Sequence, residues 1–583
     1  MNCLQGRRSP NLYPDYSHQV SILFLVTGLI LSIYPQPLAA QEAPNEVKPP
    51  SIQPLPEPQP LPPLPPPEQL LPTTPQSPTQ PDVNPQTLAE TLIVERFEFV
   101  GNTVFSEKEL AKVTDAYLKR PITFNDLLKL RSELTKLYID RGYITSGVII
   151  SPQTVKAGVV VLQVVEGSLE KINVTGTRRL NPNYIRDRLA IAAGKPLSRD
   201  LLLTGLQLLQ LDPLIKSIST DLQAGIRPGT NILEVKVTEA DSFSTQLTLD
   251  NQRSPSVGSF RRRINLSEAN FLGIGDSLSL GYTNTDGSNG FDVSYSLPVN
   301  ARNGKLIFSY GNTNSNVIER PFNSLDINSQ SRYYEFTFRQ PFLQTPTQEF
   351  TLGITASHQT SQTFLGYNDI GAFPLSVGAD DKGNTRVSAV RFFQEWTQRS
   401  GQQVIAARSQ FSFGLGVLDA TINEDEPDSR FFSWRGQAQW LRQLAPDTLV
   451  LLQADMQLSD RNLLGLEQIG IGGQTTVRGY RQDQLLTDNG VMATAEIRLP
   501  IARVSQGVLQ LTPFVDIGTG WNHGGSNPRT NTLIGTGMGL LWRQGNNFTA
   551  RLDWGIPLTS DNSQGDKTWQ ENGLYFSVIH TPF

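Results

Sequence analysis

One arginine and two carboxylates have the types needed for electrostatic work inside a protein. Arg478 stands in "TTVRGYRQD" (Thr475 to Asp483), behind the double glycine Gly472-Gly473. A guanidinium stays charged and grips a carboxylate through two parallel donors. Two acids follow on alternating segments. In "MATAEIRLP", Ala493, Ala495, Ile497 and Leu499 share one face, leaving Thr494, Glu496 and Arg498 on the other. In "VLQLTPFVDIGTG", Leu509, Leu511, Val515 and Ile517 share a face, and Gln510, Thr512, Phe514, Asp516 and Gly518 oppose them. Glu496 and Asp516 are therefore expected on the polar faces of neighbouring strands. The connection Arg461–Asp488 is far longer than a hairpin requires, and long ordered loops are usually functional. The residues leave two readings open. Either Arg478 is a solvated loop arginine, or the loop folds back so that Arg478 reaches both acids, with Gly479 allowing the backbone to turn or pass close to a wall.

Other chemistries find little support. The four histidines (His18, His358, His523, His580) have no ligand spacing, so no metal is expected. The segment "GTGMGL" (Gly535 to Leu540) lacks the Lys-Ser/Thr ending of a phosphate loop and sits on a strand pattern. No catalytic triad is visible, and no cofactor is expected. A net charge of −5 gives no basic surface for nucleic acid.

The elements that must position these residues fall into four regions. Residues 1–40 read as a secretory signal: Arg7 and Arg8, an apolar run of 14 from Val20 to Ile33, then Leu38-Ala39-Ala40. Cys3, the single cysteine, leaves with it. Residues 41–87 are a proline-rich linker with 17 prolines between Pro44 and Pro85, read as a polyproline-like spacer without a convincing helix. An internal repeat follows, in which Gly101 aligns with Gly176 at a period of 75 residues. Residues 88–167 and 168–240 each read β-α-α-β-β. The helices are expected at 106–118 and 124–141 in the first copy, and at 181–193 and 198–211 in the second. Ser106 and Glu109 stand at capping-box spacing. The closing strands are expected at 147–150 and 159–165, then at 218–223 and 232–237. Such three-stranded sheets have open edges that accept an added strand.

From Asp241 the helical period disappears. Short alternating segments take over, about 16 of them in residues 241–583. In "SWRGQAQW", Trp434, Ala438 and Trp440 oppose Arg435, Gln437 and Gln439; in "RLDWGI", Leu552, Trp554 and Ile556 oppose Arg551 and Asp553. One face apolar and the other charged, strand after strand, fits lipid outside and water inside.

Four signatures follow the signal and the two repeats: the Gly-rich "NFLGIGDSLSLGY" (Asn270 to Tyr282), "IGGQTTVRGYRQD", "FVDIG" (Phe514 to Gly518), and Glu496 as the acid on the strand preceding it. Together they resemble the two-partner secretion transporters of the TpsB family, the haemolysin secretion/activation proteins of FhaC, ShlB and HecB type, within the POTRA-barrel superfamily related to BamA. The resemblance covers Leu88 to Phe583. It implies two POTRA modules and a 16-stranded antiparallel transmembrane β-barrel in the outer membrane, with the POTRA modules in the periplasm. It also implies a large secreted exoprotein with an N-terminal secretion domain as partner, outer-membrane lipid around the barrel, and the barrel assembly machinery during biogenesis. Energy would come from folding of the exported chain outside. The loop 461–488 would fold into the lumen with Val477, Arg478, Gly479 and Tyr480 at its tip. Arg478 would pair first with Asp516 and second with Glu496, and Phe514, Asp516 and Gly518 would form the strand motif. The terminal Phe583 is similar to the aromatic read during outer-membrane insertion, although Pro582 is an unusual neighbour. The proline-rich 41–87 departs from members that carry an N-terminal plug helix. A barrel-assembly factor, a diffusion porin and a soluble exported β-rich binding protein are the rival readings. Two repeats instead of a longer array argue against the first.

Overall fold

A computed structural model describes residue 57 and residues 60–71, 91–504, 506–524, 527–560 and 568–582. The leader expected at 1–40, most of the linker and the terminal Phe583 lie outside them.

The repeat folds as two α/β modules. In the first, Arg96–Val100 pairs in parallel with Val159–Val165, which pairs antiparallel with Gly147–Ile149. In the second, Thr230–Glu239 is central between Ser168–Thr175 and Ile215–Ala224. The helices are Glu107–Thr114 and Phe124–Asp140, then Pro182–Ala193 and Arg199–Gln210. Local chemistry sets their starts. Ser106 and Thr123 each cap the N–H three residues on, while Glu109 and Asp126 bond back to the cap. The first helix ends earlier than its periodicity suggests, because Asp115–Tyr117 tightens into a 3-10 turn. The leucine stripes of the helices close a dry core over each sheet. Gly101 and Gly176 take equivalent backbone angles, φ 90° and 89°.

The remaining strands close an antiparallel barrel. Sixteen long strands run from Phe243–Asp250 to Leu574–His580, with a two-residue strand, Gly371–Ala372, added beside Gln348–Leu365. Closure comes from the last strand on the first, Ser577↔Asp250 to His580↔Leu247. The alternation holds in register. Leu552, Trp554 and Ile556 are exposed outward while Asp553 is buried, and Val515 and Ile517 are exposed while Phe514 and Asp516 are buried.

The second module is fastened to the turns at one end of the barrel. Asn181 N donates to Gly273 O at 2.7 Å, and Arg179 reaches Glu268 and the carbonyl of Asn270 at 3.1 Å each. Arg188 lies 3.5 Å over the Tyr184 ring and donates to Asn303 at 2.9 Å. Tyr184 donates to Asp212; burial and that carboxylate push its phenol up. The Gly-rich turn of the sequence is thus a docking seat: a Cβ at Gly275 would sit 2.2 Å from the Tyr184 ring.

The proline-rich segment departs from the spacer reading. Its described residues are seated, not free. Pro67–Leu70 forms one helical turn, and Leu70 and Leu71 are each 1% exposed in the second module's core. Leu61 N donates to Ser400 O on a barrel turn, and Glu57 forms ion pairs with Arg498 and Arg543 on the barrel wall. A proline-dominated composition hides this, because two adjacent leucines suffice for an anchor. Burying a leucine is worth about 1.5–3 kcal/mol before the cost of ordering the chain.

Candidate functional site

The connection between the strands Thr448–Ser459 and Asn489–Val504 folds into the barrel. Ile469–Ile471 pairs with Leu485–Thr487, so the loop has its own small hairpin stem. Asp488 closes its base, accepting from the Leu463 N–H at 2.9 Å and the His523 N–H at 3.0 Å. Ile469, Ile471, Val477, Tyr480 and Leu485 then pack with Met492 and Leu533 of the wall. This apolar patch gives the stem and tip a surface on which to rest.

The tip residues Val477, Arg478 and Tyr480 are nearly inaccessible, at 0%, 3% and 1% exposure. Arg478 binds Asp516 in a bidentate grip, Nε to Oδ2 at 2.7 Å and Nη2 to Oδ1 at 2.9 Å, while its own backbone N–H donates to Oδ2 at 3.0 Å. Nη1 donates to Glu496 Oε2 at 2.8 Å and stands 3.9 Å from Asp553. The guanidinium lies flat on Phe514, 3.4 Å from the ring centroid. Gly479, at φ 106°, donates to Tyr575 Oη at 2.9 Å; Tyr480 Oη donates to Ile534 O, also at 2.9 Å. The wall makes room for this. A Cβ at Gly518 would come within 2.6 Å of Ile471, and one at Gly535 within 1.9 Å of the Arg478 carbonyl. Gly535→Ala is therefore expected to expel the tip from the wall as fully as loss of Arg478 itself, read as protease access to the loop in a heat-modifiable barrel. A loop as well protected in that variant as in the unmodified chain would show that the tip tolerates displacement.

All the residues singled out beforehand come together here: Arg478 with Asp516 and Glu496, Phe514 beneath the guanidinium, and Gly518 beside the stem. Several others were missed. Glu496 also accepts from Arg498 at 2.8 Å and from Arg551; Arg551 in turn donates to Asp553 at 2.7 Å. Their polar-face positions were legible, but not the register that gathers them. Elsewhere on the inner wall, Arg391 of the strand Asn384–Arg399 grips Glu467 in a second buried bidentate pair, at 3.0 and 2.7 Å. Glu467 is a lone acid in the apolar "LLGLEQIGIGG", and that was the available signal. Arg481 reaches Glu319 at 2.9 and 2.8 Å. The loop is thus pinned at well-separated places around the wall, as a strut across the lumen. Such an assembly performs no bond chemistry. It holds a chain segment in a pore by charge-assisted hydrogen bonds that are costly to half-break.

A family model described as haemolysin secretion/activation protein ShlB/FhaC/HecB matches residues 229–541, more than half of the chain. The chain belongs to this family. A second model, the ShlB-type POTRA domain, matches residues 92–167. The outer-membrane transporter CdiB of Dickeya dadantii is 23% identical over 80% of this chain and 82% of its own length. The heme/hemopexin transporter protein HuxB of Haemophilus influenzae is 20% identical over 81% and 84%. Among solved structures, CdiB from Escherichia coli superposes with a TM-score of 0.64 at 20% identity, covering 86% of this chain and 92% of that one. BamA from Haemophilus ducreyi, lacking POTRA domains 1–3, gives 0.51 at 14% identity, covering 84% and 100%. The last two show a shared fold. As a member of this family the chain is an outer-membrane β-barrel transporter with periplasmic POTRA modules. It secretes a partner exoprotein and is not an enzyme.

Proposed function

We propose that the two POTRA modules recognise the N-terminal secretion domain of one large exoprotein, of adhesin or haemolysin type, and deliver it to the barrel. The exoprotein threads outward unfolded, past a loop whose tip is anchored by Arg478. Asp516 is the primary partner, with three hydrogen bonds from Arg478, and Glu496 the secondary one, with a single bond. The observation that carries this reading is the lumen-crossing strut above two periplasmic modules with open sheet edges. A strut held by buried ion pairs blocks free diffusion yet can shift as a unit, which suits a pore used by a polypeptide better than one used by small solutes. Hemolysin transporters of Proteus mirabilis and Serratia marcescens are among the relatives, at 23% and 27% identity, and they support the partner class.

The test is co-expression with a candidate exoprotein, a long, repetitive β-rich secreted chain with an N-terminal secretion domain. Surface export should require this transporter. If its deletion left every exoprotein exported and depleted other outer-membrane barrels, assembly and not secretion would be its task.

A further inference from the structure

The outer wall of the barrel changes character on four neighbouring strands, Lys305–Asn316, Ile327–Gln344, Gln348–Leu365 and Asn384–Arg399. The periplasmic modules dock on the turns at Gly273 and Asn303, so the opposite rim, where these strands connect through 316–327 and 365–384, faces out of the cell. Along Ile327–Gln344 the lipid-facing side chains run Phe338, Phe336, Tyr334 and Arg332 toward that rim, all four exposed, while Ser331 is buried on the inner face. The apolar run ends at a tyrosine. Tyr310 of the adjoining strand lies beside it, with ring centroids 5.1 Å apart. Tyrosines on a barrel's outer face mark the level of the lipid headgroups. Arg332 stands two residues beyond, about 7 Å along the strand and, at the usual tilt, about 5 Å higher. That is the level of headgroup phosphates.

Register carries the charge sideways. Arg332 pairs with Thr360, and Thr360 with Arg386, so the three share the outer face in one row. The two arginines are two strand spacings apart, about 9.6 Å. The next row toward the rim is Gln330, Gln362 and Asn384. On the following strand, Phe413 and the terminal Leu415 are exposed and apolar, which bounds the polar patch on that side. The cations differ in their commitments. Arg386 is braced, donating to Asp380 and to the Asp419 carbonyl at 3.3 Å each. Asp380 in turn accepts from the Lys382 and Asn384 amides at 2.9 and 2.8 Å. Arg332 makes no hydrogen bond or ion pair among the described residues, and Oδ1 of Asn312, its neighbour across the ladder, is buried without a partner. A third outward arginine near this rim, Arg262, is taken by Asp286. Among the described strand residues, no carboxylate faces outward at this end. Guanidiniums, amides and a hydroxyl turned to lipid need polar partners that hydrocarbon does not supply. Phosphate oxygens suit the arginines, and sugar hydroxyls suit the amides.

We propose that the outward row Arg332–Thr360–Arg386 seats the phosphorylated sugar headgroup of an outer-leaflet glycolipid of lipopolysaccharide class. Arg332 and Arg386 hold its phosphates, the row of Gln330, Gln362 and Asn384 meets sugar hydroxyls, and the Tyr310–Tyr334 pair packs on the first carbons of its acyl chains. The seat lies back to back with the base of the lumenal loop: Val387 and Ala389, on the strand that carries Arg386, pack inward with Leu463, Leu464 and Leu466.

The experiment titrates the purified full chain in detergent with three probes: bisphosphorylated lipid A, the same lipid dephosphorylated, and phosphatidylglycerol. Wild type should bind the bisphosphorylated lipid about tenfold or more tightly than either of the others, because charge-assisted bonds to phosphate carry the seat. Arg332→Ala removes no bond within the protein, so its barrel should stay heat-modifiable while its affinity for bisphosphorylated lipid A falls about fivefold or more. Adding Arg386→Ala should lower it further. Arg442 is an exposed, outward arginine at the opposite rim, paired across the ladder with Gln403 and Val450, and Arg442→Ala should bind as wild type does. Equal binding by wild type and Arg332→Ala overturns the seat, as does an equal loss in Arg442→Ala. Phosphatidylglycerol bound by wild type as tightly as bisphosphorylated lipid A overturns the glycolipid assignment.

Discussion

Arg478→Ala is expected to lower export of the exoprotein by about tenfold or more while leaving a heat-modifiable barrel in the outer membrane, since removing one member of a buried ion pair costs about 3–5 kcal/mol. The barrel survives because its ladders do not depend on the tip, and Glu496 keeps Arg498 and Arg551 as partners. The tip does not survive in place. Asp516 loses both side-chain bonds that hold the loop, and no other cation pairs with it among the described residues. Arg478→Lys should recover little, because a point charge cannot span Asp516 and Glu496 with a planar fork. Asp516→Asn should be more damaging than Glu496→Gln, in keeping with three bonds against one. The checks are exoprotein yield at the cell surface and electrophoretic migration with and without heating. Unchanged export by Arg478→Ala would remove the role assigned to it.

Removing residues 91–166 or 168–240 is expected to abolish binding of the partner's N-terminal secretion domain, read by pull-down. The two deletions differ in their side effects. The first removes a module with its own core; the second also removes Asn181, Tyr184 and Arg188, which seat on the barrel turns at Gly273 and Asn303. Only the second should therefore change the barrel's heat-modifiable migration. Full capture by a chain without either module would place recognition elsewhere.

Much of this was legible because local rules were obeyed. Ser106 with Glu109 announced a helix start, and the 75-residue repeat carried two modules. Alternation alone put Glu496 and Asp516 on the inner wall. Arg478 was a different matter. Its residue type allowed an anchor but also a solvated loop, and the family resemblance tipped that balance. The rest depended on distant pairings. Arg391 and Glu467 stand 76 residues apart and meet only because the loop crosses a closed lumen. Arg551 and Asp553 come to the cluster through barrel register, which a single strand does not encode. Glu57 and Leu70-Leu71 lay in a segment whose prolines speak for a spacer. There, two short anchors outweigh the average composition.

Passage of the exported chain through this lumen can be tested directly. A photo-crosslinker placed at Gln453, inward on the strand Thr448–Ser459 opposite Thr494, tests it against one at the neighbouring Leu452, which faces out. The exoprotein carries a fast-folding domain at its C-terminus, so that it stalls in transit. The expected result is an adduct between the stalled exoprotein and position 453, with none at 452. Exoprotein reaching the surface with no adduct at the lumenal position would contradict transport through the barrel.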